Sequence, residues 1–201
     1  MRKHIFVVTI SIISLLIFAG GIFAQGDQRP AGPVESSFEI TLSVVAGSND
    51  TAQRGDLPQA LAPVARQLRT AYGLSNLRLV DSYIGRIGNN GAMTYKSVAN
   101  IDGNAQSNTP SFLDWEITGL RNTANGAPNS IFIMSFRFGA RVPVVVGQSA
   151  GSSAIQYENI GMTTDRMTAT VNSPVLIGTV ALPKADGGRV FLVLNVSPVN
   201  N

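Results

Sequence analysis

The sequence pattern closest to a catalytic motif is a G-x-S-x-G pentapeptide at residues 147–151, directly after the apolar run 142–146. In a nucleophile elbow this pattern lies on a strained turn between a strand and a helix and exposes its serine. Here residues 152–159 predict another strand. The only histidine is His4, so Ser149 has no histidine base once the N-terminal segment is removed. The pattern therefore predicts a glycine-rich β-turn.

Two carboxylates, Asp114 and Glu116, flank the only tryptophan, Trp115. A pair of carboxylates is the machinery of most glycosidases. Residues two apart on a strand share one face at a distance of about 7 Å, and alternation places both carboxylates toward solvent with Trp115 inward. A secreted hydrolase that uses carboxylates only is therefore the alternative function, and the solvent face of a strand is the favoured interpretation.

Other polar groupings have weaker chemical interpretations. Asp102 and Asn104 supply oxygen ligands of the kind calcium prefers, but their loop lacks the spacing of known calcium loops, which favours a solvated turn. Residues 54–56 spell Arg-Gly-Asp, a tripeptide recognised by some animal adhesion receptors, and Asp56 is predicted to cap a helix instead. The chain has no cysteine and a single histidine. We therefore expect it to bind no metal or cofactor and to contain no catalytic residue.

Arginines form the last group of residues with chemical potential. Arg137, Arg141 and Arg166 could line a sheet face or make bidentate contacts with a partner. They could equally reflect a general preference for arginine over lysine, which is the explanation we favour from the sequence.

The elements that position these residues are mostly strands. Residues 38–46 alternate apolar and polar side chains, which predicts a half-buried strand. Further strands are predicted at 77–87, 92–99, 112–118, 130–138, 141–146, 154–159, 166–171, 175–182 and 189–197. Asn89-Asn90-Gly91 predicts a hairpin turn between the first two of these, and Gly139 predicts a turn between two others.

One helix is predicted over about residues 57–72. Leu57, Leu61, Val64 and Leu68 recur at helical spacing and would form the seam between this helix and a sheet. Pro63 predicts a kink or a start delayed to about residue 62, and Gly73 follows the helix where a C-terminal cap belongs. We therefore expect a mainly β fold, an antiparallel β-sandwich or partly open barrel with one α-helix on a sheet.

The last predicted strand carries the candidate interface. Val190, Leu192, Leu194 and Val196 define a buried face of residues 189–197. Phe191, Val193 and Asn195 form the opposite face, which is unusually apolar for a surface in water. An exposed edge strand would offer these three side chains to a partner. The alternative is a central strand covered on both faces.

The first 24 residues predict a secretory signal. Arg2, Lys3 and His4 precede an apolar run, and Ala24 is a small residue at the expected cleavage position. An uncleaved anchor is the alternative, because about 20 apolar residues barely span the hydrocarbon of a membrane. Residues 25–37 predict a flexible lead-in and 38–201 a single β-rich domain. Only an anchor retained at the N-terminus would involve the membrane.

The charge balance excludes one class of partner. The formal charge is +3, and without Arg2 and Lys3 it falls to about +1, which gives no electrostatic footprint for nucleic acid. The low share of charged residues, 13%, argues against charged disordered tails and long exposed helices.

Two stretches resemble known proteins. Residues 170–200, with the step Ser197-Pro198, resemble the closing strands of bacterial secretin-type outer-membrane domains, and 38–45 resembles their opening strand. The membrane-inserting hairpin and the glycine-proline signature of that family are absent. The helix at 57–72 followed by 77–83 resembles uncharacterised exported bacterial β-rich proteins with no assigned activity. Neither resemblance implies an active site.

The sequence thus favours a periplasmic or extracellular protein without catalytic activity. We expect a binding or structural component of a bacterial cell envelope that acts by protein–protein contact. Its partner would be another envelope protein or a second copy of the same chain.

Overall fold

The computed structural model describes residues 37–49, 55, 57–101, 109–123, 129–149, 152–183 and 188–199. Within these ranges the strands are β1 (Ser37–Ser48), β2 (Asn76–Gly88), β3 (Ala92–Ala99), β4 (Ser111–Thr118), β5 (Arg121–Asn122), β6 (Ser130–Ser149), β7 (Ser152–Thr170), β8 (Val175–Ala181) and β9 (Arg189–Val199). A 3-10 turn at Gln59–Leu61 leads into the helix α1 (Ala62–Tyr72). The predicted signal and nearly all of the predicted lead-in lie outside the described residues.

The strands form two antiparallel sheets. Sheet A has the order β2-β1-β9-β8, and in sheet B β4 lies between β3 and β6, with β5 and β7 also paired to β6. Alternation along β1 turns Phe38, Ile40, Leu42 and Val44 toward sheet B, where the largest side chain of the core is Trp115. The predicted fold class is confirmed in its sandwich form, because apolar faces of both sheets bury one another.

A second, smaller core lies between α1 and the outer face of sheet A. Leu61, Val64 and Leu68 are buried there, and Leu57 packs against them, which confirms the predicted seam. The side chains that the helix covers come from three strands and are Val45, Leu77, Phe191 and Val193.

The ends of the helix follow its sequence with one correction. The delayed start is confirmed, because α1 begins at Ala62 with Pro63 in its first turn. The residue before the helix is Leu61, whose side chain makes no capping hydrogen bond. Asp56, the predicted cap, therefore lies upstream of that position and outside the described residues. Gly73 ends the helix with φ of 63°, the left-handed conformation that glycine adopts without steric cost.

The predicted hairpin at Asn89-Asn90-Gly91 is wrong, because β2 belongs to sheet A and β3 to sheet B. The turn chemistry itself is present, since Asn90 has φ of 59° and the Gly91 N–H donates to the Gly88 carbonyl at 2.9 Å. The Asn90 N–H donates to the Leu120 carbonyl at 2.7 Å, which ties the bend to sheet B. The segment is therefore a corner that carries the chain from one sheet to the other.

The predicted break at Gly139 is also wrong. Residues 130–149 form one continuous strand, β6, and the two strands predicted between 154 and 171 are one strand, β7. β6 and β7 pair along nearly their whole length. Glycine within a strand interior thus misled the prediction, although it is compatible with a ladder whose neighbours approach closely.

A row of aromatic rings runs from Tyr83 in sheet A to three rings in sheet B. The ring centroids of Tyr83 and Tyr95 lie 5.0 Å apart, those of Tyr95 and Trp115 5.9 Å, and those of Trp115 and Phe136 6.3 Å. The Tyr83 hydroxyl and the Trp115 Nε1 are buried with no hydrogen-bond partner among the described residues. Burial raises the pKa of Tyr83 to about 12.

This pKa predicts a loss of stability at alkaline pH. The unfolded chain releases the Tyr83 proton near pH 10 and the folded chain near 12, so the unfolded state binds fewer protons between these values. The stabilisation is full below pH 10 and is lost as the pH rises toward 12, a loss of roughly 2–3 kcal/mol. Urea unfolding at pH 9 and pH 11.5 should show this loss in the wild type. Between these two pH values the free energy of unfolding of Tyr83→Phe should fall by about 1–2 kcal/mol less than that of the wild type. Equal losses in the two proteins would contradict a raised pKa of Tyr83.

Candidate functional site

The outer face of sheet B carries a depression whose floor consists of two glycines. Gly139 of β6 lies opposite Asp114 of β4 on one side and opposite Gly161 of β7 on the other. These three residues therefore form one row across the sheet, and two of them have no side chain. The depression above them has a volume of about 350 Å³.

The two glycines cannot be replaced without displacing a neighbour. A Cβ atom at Gly139 would lie 2.8 Å from the Asp114 Oδ1, so the carboxylate of Asp114 extends over the floor. A Cβ atom at Gly161 would lie 2.5 Å from the Phe138 carbonyl oxygen. Glycine inside a strand often marks the close approach of a ligand or of another backbone. At Gly161 the neighbouring backbone accounts for it, whereas at Gly139 the space is shared with a polar side chain.

Arginines stand on both sides of the floor. Alternation along β6 turns Arg137, Gly139 and Arg141 to the same face, and all three line the depression. The Arg141 guanidinium lies 4.9 Å from the centroid of the Phe112 ring, which packs in turn against Tyr157 at 5.7 Å. These stacking contacts restrict the conformations that the Arg141 side chain can adopt.

The charges of the depression are not neutralised by close ion pairs. Among the described residues, the one ion pair within 4.0 Å joins Arg86 and Glu39, at 3.7 Å on sheet A. Asp114, Arg137 and Arg141 therefore have no ion pair at that distance with a described residue, and the opposite charges nearest in register are Lys96 across from Asp114 and Glu116 across from Arg137. Asn159 and Thr163 of β7 add an amide and a hydroxyl to the lining. The site combines two cations, one anion and two neutral polar groups.

Two of the three arginines considered from the sequence lie together on one face of sheet B. Arg137 and Arg141 line the depression, whereas Arg166 lies elsewhere on β7 with φ of 55°. Asp114 and Glu116 lie on the outer face of β4 on either side of the buried Trp115, as expected, and Asp114 lines the depression.

The G-x-S-x-G motif joins two strands. β6 ends at Ser149 and β7 begins at Ser152, so a strand follows the motif and not a helix, as predicted. The Ser149 side chain and residues 150–151 lie outside the described parts of the chain. So do Asp102, Asn104, Arg54 and Asp56. In the described ranges no three His, Cys, Asp or Glu side chains form a group that could hold a metal ion.

The candidate interface on β9 requires a correction. Strand β9 lies between β1 and β8, and Phe191 and Val193 are buried beneath α1. Asn195 lies on the same face, half-buried, and its Oδ1 has no hydrogen-bond partner among the described residues. The alternative of a central strand covered on both faces is therefore the one observed. The edge-strand hypothesis for Phe191, Val193 and Asn195 is wrong, because α1 covers this face and β9 pairs with β1 on one side and with β8 on the other.

A different surface is exposed at the tip of the β6–β7 hairpin. Strand β4 pairs with β6 as far as Arg141, and beyond this point β6 and β7 pair only with each other among the described strands. We call residues 143–157 the arm. Its exposed apolar side chains are Val145 (55% exposed), Val146 (58%), Ile155 (44%) and Tyr157 (38%). The arm contains no charged residue.

Sequence reasoning missed both the depression and the arm. The pattern Arg137-x-Gly139-x-Arg141 within an apolar stretch was a usable signal, because alternation places these three residues on one face once the strand is continuous. Reading Gly139 as a turn removed that signal. The uncharged run 142–157 was visible as well, but its projection depends on where β4 ends.

No family model matches this chain, and no curated protein matches it. Within the described ranges, the helical segments are too short and too polar to cross a membrane.

Proposed function

We propose that this protein is a non-catalytic binding or structural component of a bacterial cell envelope, and that it acts by protein–protein contact. The arm of the β6–β7 hairpin carries the proposal. The basic and apolar N-terminal segment supports export, because this pattern is typical of a secretory signal.

The arm has the properties of a contact surface. Pro143 pairs with Tyr157 and Val145 with Ile155, so these four side chains lie on the same face as the depression and continue it as an apolar stripe. An isolated two-stranded hairpin is at best marginally stable in water, and a contiguous apolar surface on it is costly. A partner that covers this stripe would remove it from water and stabilise the arm.

The partner proposed for the arm is a second copy of the chain. In a two-fold contact each surface meets its own copy, so like charges would oppose one another. The arm has no charges to oppose. The outer edge of β7 is unpaired by any described strand, and an antiparallel strand pairs with its own copy about a two-fold axis.

The double substitution Val145→Lys with Ile155→Lys tests this proposal. We expect the wild type to form a concentration-dependent dimer in sedimentation velocity, and the variant to dissociate at least a hundredfold more readily, about 2.7 kcal/mol. Both side chains are exposed, so the melting temperature of the monomer should change little.

The control for this experiment is Ile84→Lys. Ile84 is as exposed as the arm residues but lies on sheet A, so its substitution should leave the dimer intact. A wild type that stays monomeric at several hundred micromolar, or a double variant that dimerises like the wild type, would refute the proposal.

A further inference from the structure

We infer that the depression over Gly139 and Gly161 binds a sugar acid, a hydroxylated ring that carries a carboxylate. This inference concerns the part of sheet B beside the arm and goes beyond the contact proposed for the arm. It begins with Arg137 and Arg141, which flank the floor and have no ion pair within 4.0 Å among the described residues. Guanidinium groups bind carboxylates with paired, charge-assisted hydrogen bonds.

Asp114 decides which anions fit. Its carboxylate lies over the floor between the two arginines, and it would repel a ligand that offers only acceptor oxygens. Sulfate has no hydrogen-bond donor to satisfy this carboxylate. The ligand must therefore present donors to Asp114 as well as an anionic group to the arginines, which a hydroxylated carboxylate does.

The shape of the site favours a ring with several hydroxyls. The Asp114 carboxylate lies over Gly139, so a ring seated on the floor would meet a hydrogen-bond acceptor for its hydroxyl groups there. Asn159 and Thr163 stand on the β7 side and can bind further hydroxyl groups. A volume of about 350 Å³ lies within the range of small-molecule sites.

The stacked position of Arg141 supports binding and not only sheet stability. The Arg141 guanidinium stacks on the Phe112 ring, and the Phe112 ring packs against Tyr157. The Tyr157 hydroxyl donates a hydrogen bond to the Pro110 carbonyl at 3.2 Å. A side chain that is ordered beforehand loses less conformational entropy on binding. Arg141 is exposed, so its charge remains accessible to a ligand.

The probe for this site is trigalacturonate, with its fully methyl-esterified form as the matched neutral ligand. Titration calorimetry on the full chain should show binding of the acid and at least tenfold weaker binding of the ester. Amide shifts in nitrogen-15 spectra should centre on Gly139 and Gly161. No binding, equal binding of the ester, or displacement by equimolar sulfate would overturn the inference, as would tighter binding of a free amino acid.

Variants locate the site. Arg137→Gln and Arg141→Gln should each weaken binding of the acid about tenfold, and Asp114→Asn should weaken it severalfold. Arg86→Gln removes an exposed arginine from sheet A and should leave binding unchanged. Melting temperatures of all four variants distinguish a lost contact from a damaged fold. Unchanged affinity in both arginine variants of the depression would overturn the assignment.

Discussion

Val193→Lys should prevent the chain from reaching its native fold. The Val193 side chain is 1% exposed and lies between sheet A and α1 in a cluster of apolar side chains. Burying an unpaired charge costs several kcal/mol, a large part of the roughly 5–15 kcal/mol that stabilises a domain of this size. Circular dichroism and the elution volume of the purified variant measure the outcome.

Ile84→Lys is the matched control for this substitution. Ile84 lies on the same face of sheet A but is 64% exposed, so a lysine there should change the free energy of unfolding by no more than about 0.5 kcal/mol. If Val193→Lys melts like the wild type, the helix does not cover β9 and the edge-strand interpretation returns.

Leu68→Asp should destabilise the domain to a similar extent from the opposite side of the same seam. Leu68 is fully buried, and its replacement both removes apolar contacts and places a carboxylate among Val45, Phe191 and Val193. We expect a loss of more than about 4 kcal/mol in urea unfolding, which would leave much of the protein unfolded in buffer.

Gln67→Asp provides the comparison for the helix itself. Gln67 is the preceding residue and is exposed, so this variant carries the same new residue in the same turn without burying it. It should lose only about 0.5–1 kcal/mol, from helix propensity and from the unfavourable position of a negative charge in the second half of a helix. Similar losses in the two variants would mean that α1 does not pack on sheet A.

The parts of the fold that were predicted correctly are those that depend on local periodicity. The spacing of Leu61, Val64 and Leu68 predicted both the helix and its buried face, because three residues on one helical stripe must be covered by something apolar. The alternation in β1 predicted its inward face for the same reason. In each case the pattern depends only on residues close together in the chain.

Contacts between segments far apart in the chain could not be predicted from these local patterns. Asn89-Asn90-Gly91 has the turn chemistry of a hairpin, yet the Leu120 carbonyl, thirty residues downstream, helps to hold it as a corner between sheets. Phe191 and Val193 looked suited to an exposed face because the covering helix lies more than a hundred residues upstream. The depression likewise depends on register, since Gly139 and Gly161 meet only when β6 and β7 are continuous.

The pairing of β1 with β9 determines when the domain can form. Residues 37–48 lie beside residues 189–199 in the centre of sheet A, so neither inner strand has its full set of backbone hydrogen bonds until residue 199 has been synthesised. Closing a loop of this length delays folding, because its entropy is lost before the contacts are gained. Sheet A, and with it one half of the main core, is therefore completed only after translation has passed residue 199. If the chain is exported as proposed, this late completion would leave the domain unfinished while it is still being synthesised.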